Sequence, residues 1–155
     1  MKIVFLDAAT MGDISFEPFE RLGDFVSYPT STPEEAKERV KDVDVLMINK
    51  VLVDKDLIDS ATNLKLICIA ATGVNNIDVD YASSKGIPVR NVAGYSTDSV
   101  AQSTFMHILS LIGGGPYFDN SVKSGNYSRS GMFTDLNWTW WELAGKTIGI
   151  IGMGN

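Results

Sequence analysis

A loop around Gly73 has the composition of a binding site for a small anion. Residues 64–70 form an apolar run that predicts a buried strand, and Thr72, Gly73 and Val74 come just after it. Because glycine has no Cβ, the backbone N–H groups around Gly73 could converge on an anion beyond the end of that strand. The alternative is a plain strand-to-helix turn in which Gly73 is needed for a positive φ.

Lys50 lies just beyond another predicted strand, residues 45–48. Its ammonium group could attract a carboxylate as a point charge, and Asn49 could orient it. A solvated surface lysine is the equally weighted alternative. In open parallel sheets, ligands bind beyond the carboxyl ends of strands. The loops expected there are residues 49–50, 71–76 and 93–97.

A Gly-x-Gly sequence stands near the end of the chain. Residues 147–151 predict a further strand, which leads into Gly152 and Gly154. In dinucleotide-binding turns the first glycine permits a tight turn and the second lets the backbone approach the pyrophosphate. The third glycine and the following helix do not occur before Asn155, so this motif alone is weak evidence.

The remaining reactive side chains favour no catalytic site. His107 lies mid-helix among apolar residues, which predicts a buried or interface histidine instead of a catalytic one. Cys68 lies inside a predicted strand and is expected to be an inert buried thiol. With one histidine and one cysteine, the chain is expected to hold no disulfide and no Cys- or His-based metal site.

The elements that would position these residues alternate between short apolar runs and amphipathic helices. Thr32 with Glu35 forms a capping-box sequence, Asp54 can cap a second helix, and residues 80–85 predict a third. Strands that alternate with helices imply a flavodoxin-like, doubly wound parallel α/β sheet over residues 1–95. The predicted strands are residues 2–6, 24–28, 45–48, 64–70 and 88–92.

The chain changes character after Thr97. Residues 98–112 predict a long helix that is apolar nearly all round, which indicates burial between domains or subunits. Residues 113–116, GGGP, would end it firmly, and a polar and aromatic segment follows to residue 145. Its three tryptophans could fill a dimer interface or a core equally well. They are Trp138, Trp140 and Trp141.

Charge and hydropathy exclude several classes of partner. The chain carries 13 Lys+Arg and 19 Asp+Glu, a net charge of −6, which argues against nucleic acid or an anionic membrane as the main partner. No apolar run approaches the roughly 18 residues that span a bilayer. The default expectation is a soluble cytoplasmic protein without a signal peptide.

Six stretches occur together in an order and spacing that resemble one enzyme family. They are 70–78 (AATGVNNID), 86–89 (GIPV), 91–102 (NVAGYSTDSVAQ), 122–125 (VKSG), 141–146 (WELAGK) and 149–154 (GIIGMG). The sequence is similar to the D-isomer-specific 2-hydroxyacid dehydrogenases, in particular the glycerate dehydrogenase or hydroxypyruvate reductase branch. Ser103 departs from the family, in which histidine is common at that position.

The resemblance implies a function and a set of site residues. The intact homodimeric protein would transfer a hydride between NAD, with NADP left open, and a small D-2-hydroxy acid such as glycerate or its 2-oxo counterpart. Loop amides of Thr72, Gly73 and Val74 would bind the substrate carboxylate near Lys50. Cofactor contacts would come from five positions: Thr72, Thr97, Val100, Gly152 and Gly154.

The resemblance also implies an organisation in three parts. Residues 1–95 would form the substrate domain, 96–145 a linking helix and dimerisation arm, and 146–155 the start of a truncated Rossmann domain. The family's catalytic histidine, arginine and glutamate come from beyond this point, so no catalytic residue is expected here and the fragment should be inactive. A non-catalytic dimerisation or anion-binding module is the alternative. A flavin binder is disfavoured because residues 7–12 hold one glycine.

Overall fold

A computed structural model of the protein describes residues 1–152. Five parallel strands form one sheet in the order β2-β1-β3-β4-β5, which is the flavodoxin-like order and confirms the predicted fold class. The strands are β1 (Lys2–Phe5), β2 (Asp24–Ser27), β3 (Val45–Ile48), β4 (Leu66–Ile69) and β5 (Val89–Arg90). A register in which Ile3 pairs with both Phe25 and Val45 puts β1 inside this sheet, between β2 and β3.

Seven α-helices and one short 3-10 helix, Ala8–Met11, are found within residues 1–152. The α-helices are α1 (Glu17–Glu20), α2 (Pro33–Arg39), α3 (Lys55–Ser60), α4 (Val79–Ser84), α5 (Thr97–Ile112), α6 (Gly115–Lys123) and α7 (Asn126–Ser130). None of the helices in this range is long and apolar enough to cross a membrane.

Local capping explains where the predicted helices begin. The Glu35 N–H donates to Thr32 Oγ1 at 3.2 Å and the Thr32 N–H donates to Glu35 Oε2 at 2.9 Å, which confirms the capping box. Asp54 caps α3 by accepting from the Leu57 N–H at 2.9 Å, as predicted. Helix α4 begins one residue earlier than predicted because Asp78 caps it.

The hydrophobic core lies around the central strands. Alternate residues of β3 and β4 are at most 2% exposed, while their neighbours on the other face are partly buried. Those fully buried side chains are Leu46, Ile48, Ile67 and Ile69. The chain separates into two compact units, Met1–Ala93 and a second that starts at Gly94, and this core belongs to the first.

The second unit leaves most of its apolar helix uncovered. No residue of α5 is buried in the chain by itself: Phe105 is 60% and Leu111 is 76% exposed. The burial of α5 between domains or subunits stays a prediction. His107 on the same helix is exposed too. The apolar pattern of α5 indicates that the helix is hydrophobic, but it does not identify the surface that would cover the helix.

The segment after α5 is more helical than predicted. Helix α5 ends at Ile112 as expected, but α6 starts at once at Gly115, because Pro116 suits the first turn of a helix. Residues 147–151 form no strand, and Ile151 is fully exposed. An apolar run forms a strand only when an adjacent strand pairs with its backbone, and residues 147–151 pair with no strand of the described chain. The three-part division of the chain stays a prediction.

Candidate functional site

Two loops leave the carboxyl ends of neighbouring strands β3 and β4 and lie side by side. Beyond the strands, Val53 and Ile77 form an isolated parallel bridge. The Val53 N–H donates to the Asn76 carbonyl at 2.8 Å, and the Asp78 N–H donates to the Val53 carbonyl at 2.9 Å. These bonds hold the segment after β3, with Lys50, against the segment after β4, with Gly73.

The Gly73 loop, defined as Thr72, Gly73 and Val74, is anchored to the segment after β5. The Thr72 hydroxyl donates to the Val92 carbonyl at 3.1 Å, and Asn91 Nδ2 donates to the Thr72 carbonyl at 2.6 Å. The Val92 N–H also donates to the Ala71 carbonyl at 3.0 Å. The carbonyl side of the loop is therefore held by the scaffold.

The N–H groups of the Gly73 loop are unpaired in the described chain, unlike its carbonyl side. Within residues 1–152, none of the three loop N–H groups donates a hydrogen bond, and both Thr72 and Gly73 are exposed. Gly73 does not have a positive φ, and an added Cβ would meet only Asn75 Oδ1, at 3.7 Å. The alternative in which Gly73 relieves backbone strain is therefore wrong. Unpaired N–H groups in an exposed glycine loop suit a small anion.

A buried carboxylate shapes the segment that carries Lys50. Asp7, at the end of β1, is 5% exposed. It accepts hydrogen bonds from the N–H groups of Asn49 at 2.8 Å, Lys50 at 2.5 Å and Val51 at 3.1 Å. Sequence reasoning missed this role. The available signal was an acidic residue placed directly after an apolar strand.

The Lys50 side chain is exposed and has no carboxylate partner among the described residues, whereas Lys65 and Lys85 pair with Asp44 and Asp59 at 2.7 Å. Its ammonium group is available to an external anion. Asn49 does not orient it: no hydrogen bond joins the two side chains, and Asn49 Oδ1 is buried without a partner in this part of the chain. The surface and substrate interpretations of Lys50 both fit this geometry.

The predicted cofactor residues of the second unit lie in helix α5 and in the segment that ends the described chain. Thr97 is the first residue of α5, and its hydroxyl donates to the Gly94 carbonyl at 3.1 Å. Neither Ser96 nor Thr97 caps the helix by a side-chain hydrogen bond. Val100 is 60% exposed, and Gly152 has a φ of 98°. Gly154 lies outside the described residues.

The cysteine does not look reactive. Cys68 is partly buried in β4, and burial raises the pKa of its thiol while the charge of Arg90 lowers it to a smaller extent. A raised pKa disfavours the thiolate, which is the nucleophilic form. Within residues 1–152 no three Asp, Glu, His or Cys side chains come together as a metal site.

The strand order and the two loops that carry Lys50 and Gly73 define the first unit as a flavodoxin-like α/β domain. A candidate anion site lies beyond the carboxyl ends of its strands. The chain belongs to the D-isomer specific 2-hydroxyacid dehydrogenase family, because a match to the family's catalytic domain spans residues 3–144.

Individual proteins that are similar in sequence or structure are named as enzymes of the same kind. The chain is 33% identical over 154 residues to a glycerate dehydrogenase of Methylorubrum extorquens and 32% identical over 164 residues to a hydroxypyruvate reductase of Blautia hydrogenotrophica. Each match covers 99% of this chain and 49% of the relative, so the chain spans about half their length. A D-lactate dehydrogenase of Aquifex aeolicus, solved with NAD and lactic acid, has the same fold with a TM-score of 0.77. That match has 23% identity and covers 91% of this chain and 41% of that one.

Proposed function

We propose that this chain is the acid-binding part of an NAD-dependent oxidoreductase that moves a hydride between nicotinamide and a small D-2-hydroxy acid. Glycerate and hydroxypyruvate are the proposed substrate pair, since relatives along the whole chain carry those names. The observation that carries the proposal is that the three N–H groups of the Gly73 loop donate no hydrogen bond within residues 1–152, while Thr72 and Gly73 are exposed.

The roles of the chain's own residues follow from their remaining hydrogen-bonding capacity. Loop N–H groups would donate to the substrate carboxylate, and Lys50 would attract it electrostatically. The Thr72 hydroxyl already donates its proton to Val92, so towards a ligand it offers only lone pairs. It would therefore accept a hydrogen bond from a substrate hydroxyl or a cofactor group.

The backbone at Gly152 supports its proposed role in binding the phosphates of a dinucleotide. Gly152 adopts a φ of 98°, and nothing lies within 4 Å of the place where a Cβ would stand, so a phosphate could approach this backbone closely. Thr97 and Val100 would contribute from the first turn of α5, and Gly154 from beyond Gly152. NAD would supply the hydride acceptor, with NADP as the other candidate.

Replacing Gly73 by valine should abolish acid binding without unfolding the protein. The valine side chain would occupy the open space beside Gly73 that the acid is proposed to enter, while the backbone there needs no positive φ. We expect D-glycerate to shift the amide resonances of residues 72–74 in the unaltered chain and not in Gly73→Val. The control is Gly149→Val, also at a glycine with open space around it and no positive φ. Unchanged titration of Gly73→Val would contradict the proposed site.

The chain by itself should not oxidise NADH with hydroxypyruvate. Its one histidine, His107, sits in the middle of exposed helix α5, and the family resemblance assigns proton transfer to a histidine outside residues 1–155. The absorbance of NADH mixed with purified chain and hydroxypyruvate should fall no faster than in a protein-free blank. Turnover above that blank would refute this expectation.

A second candidate function, a dimerisation module, is favoured by α5. Apolar side chains there are largely exposed, with Phe105 at 60% and Leu109 at 56%, and exposed apolar surface of this kind is typical of interaction sites. Sedimentation equilibrium of the chain tests it. A dimer at micromolar concentration supports the homodimer proposed for the intact enzyme, and a monomer counts against it.

A further inference from the structure

Asn76 uses its side chain to reach from one site loop to the other. It follows the Gly73 loop by two residues, and its Nδ2 group donates to the Val51 carbonyl at 2.8 Å and to the Asn49 carbonyl at 3.3 Å. A carboxamide NH2 carries two protons, so both bonds can form at once. Its own carbonyl accepts from the Val53 N–H at 2.8 Å.

The same turn is held from its opposite side by Asp7. We define the Lys50 turn as Asn49, Lys50 and Val51. Asp7 accepts from all three of its N–H groups, and Asn76 donates to two of its carbonyls. Two side chains from distant parts of the sequence thus fix nearly all polar backbone atoms of a turn that has no regular secondary structure of its own.

We propose that Asn76 is a positioning residue that, together with Asp7, holds the Lys50 turn at a fixed distance from the Gly73 loop, so that the ammonium group and the loop N–H groups act on one carboxylate. This inference rests on the proposed function. It goes further because it names the Asn76 carboxamide as the group that connects the Lys50 turn to the Gly73 loop. In this role Asn76 acts through the Lys50 turn and does not contact the carboxylate itself.

The chemistry of the side chain explains why an amide is needed at this position. Aspartate has nearly the same shape but would face two carbonyl oxygens with a negatively charged acceptor, and alanine would leave both carbonyls without their donor. Neither change touches the Val53–Ile77 bridge, which is made by the backbone, so the loops should stay adjacent. Both substitutions should therefore displace the Lys50 turn without unfolding the domain.

Asn63 provides a matched control. It is the same residue type, precedes β4 and so lies at the other end of that strand from the Gly73 loop, is exposed, and makes no side-chain hydrogen bond within the described range. We expect Asn76→Ala to weaken D-glycerate binding by about tenfold, which is about 1.4 kcal/mol of binding free energy, because the ammonium group is no longer held in place. Asn63→Ala should change the dissociation constant by less than about twofold. Asn76→Asp should bind no better than Asn76→Ala, and it carries the test if the alanine variant does not fold.

A double-mutant cycle separates positioning from a general structural role. Lys50→Met should weaken D-glycerate binding in the unaltered chain but add little in the Asn76→Ala chain, because the lysine is then already misplaced. Fully additive losses, or no effect of Lys50→Met in the unaltered chain, would overturn the positioning role while leaving the Gly73 site standing. Absence of any shift at residues 72–74 when D-glycerate is added to the unaltered chain would instead sink the proposed function, and this inference with it.

Discussion

Replacing Asp7 by alanine should lower the free energy of unfolding of the first unit by about 3 kcal/mol, because three backbone N–H groups lose their acceptor together. The carboxylate is 5% exposed, and its bonds to the turn are between 2.5 and 3.1 Å long. Among the described residues, no other group accepts hydrogen bonds from these three N–H groups. Urea unfolding followed by far-UV circular dichroism measures the loss directly.

A matched aspartate controls for the general effect of removing a carboxylate. Asp13 is exposed and takes part in no side-chain hydrogen bond among residues 1–152, so Asp13→Ala should change the unfolding free energy by no more than about 0.5 kcal/mol. Asp7→Asn should fall between the two, since one amide oxygen survives while the NH2 group meets a backbone donor. Equal stability of Asp7→Ala and Asp13→Ala would show that the carboxylate does not hold the turn.

Much of the first unit could be predicted from sequence because its signals are local. Apolar runs predicted all five strands, and short-range capping patterns at Thr32 and Asp54 predicted the starts of two helices. The Gly73 loop was found in the same way, from a glycine placed just beyond an apolar run. Each of these features is decided by residues within a few positions of one another.

The parts of the site that sequence reasoning missed depend on contacts between distant residues. Asp7 lies 42 residues from Asn49, and Asn76 lies 25 residues from Val51. No local pattern distinguishes such a residue from an ordinary polar side chain at the end of a strand. Only the parallel order of β1, β3 and β4 brings their carboxyl ends to one edge of the sheet, where these side chains meet.

Glycines show a related limit, because the residue type does not reveal why it is needed. Gly73 was open to two explanations, and its φ excludes the one based on strain. Gly114, in the run that was predicted only to end α5, turns out to be buried and left-handed, with a φ of 63°. Its surroundings, unlike those of Gly73, leave no room for a Cβ.

Gly114→Ala should destabilise the second unit by about 3 kcal/mol, through a left-handed backbone that disfavours alanine and through a clash. An added Cβ would lie well inside contact distance of the Trp138 indole, which stacks on Tyr117 with ring centroids 5.3 Å apart. Displacing the indole should expose it to water and shift its fluorescence to longer wavelength. The measurement is made with Trp140 and Trp141 replaced by phenylalanine, so that Trp138 alone emits.

Gly131→Ala separates the two causes of this loss. Gly131 has a similar φ of 65°, but nothing lies within 4 Å of its Cβ position, so alanine there introduces strain without a clash. We expect a loss of about 1 kcal/mol and an unchanged Trp138 emission. The difference between the two variants then measures the contact between Gly114 and Trp138. If both variants lose equal stability and neither shifts the emission, Trp138 does not pack on Gly114, and the start of α6 owes its geometry to backbone conformation alone.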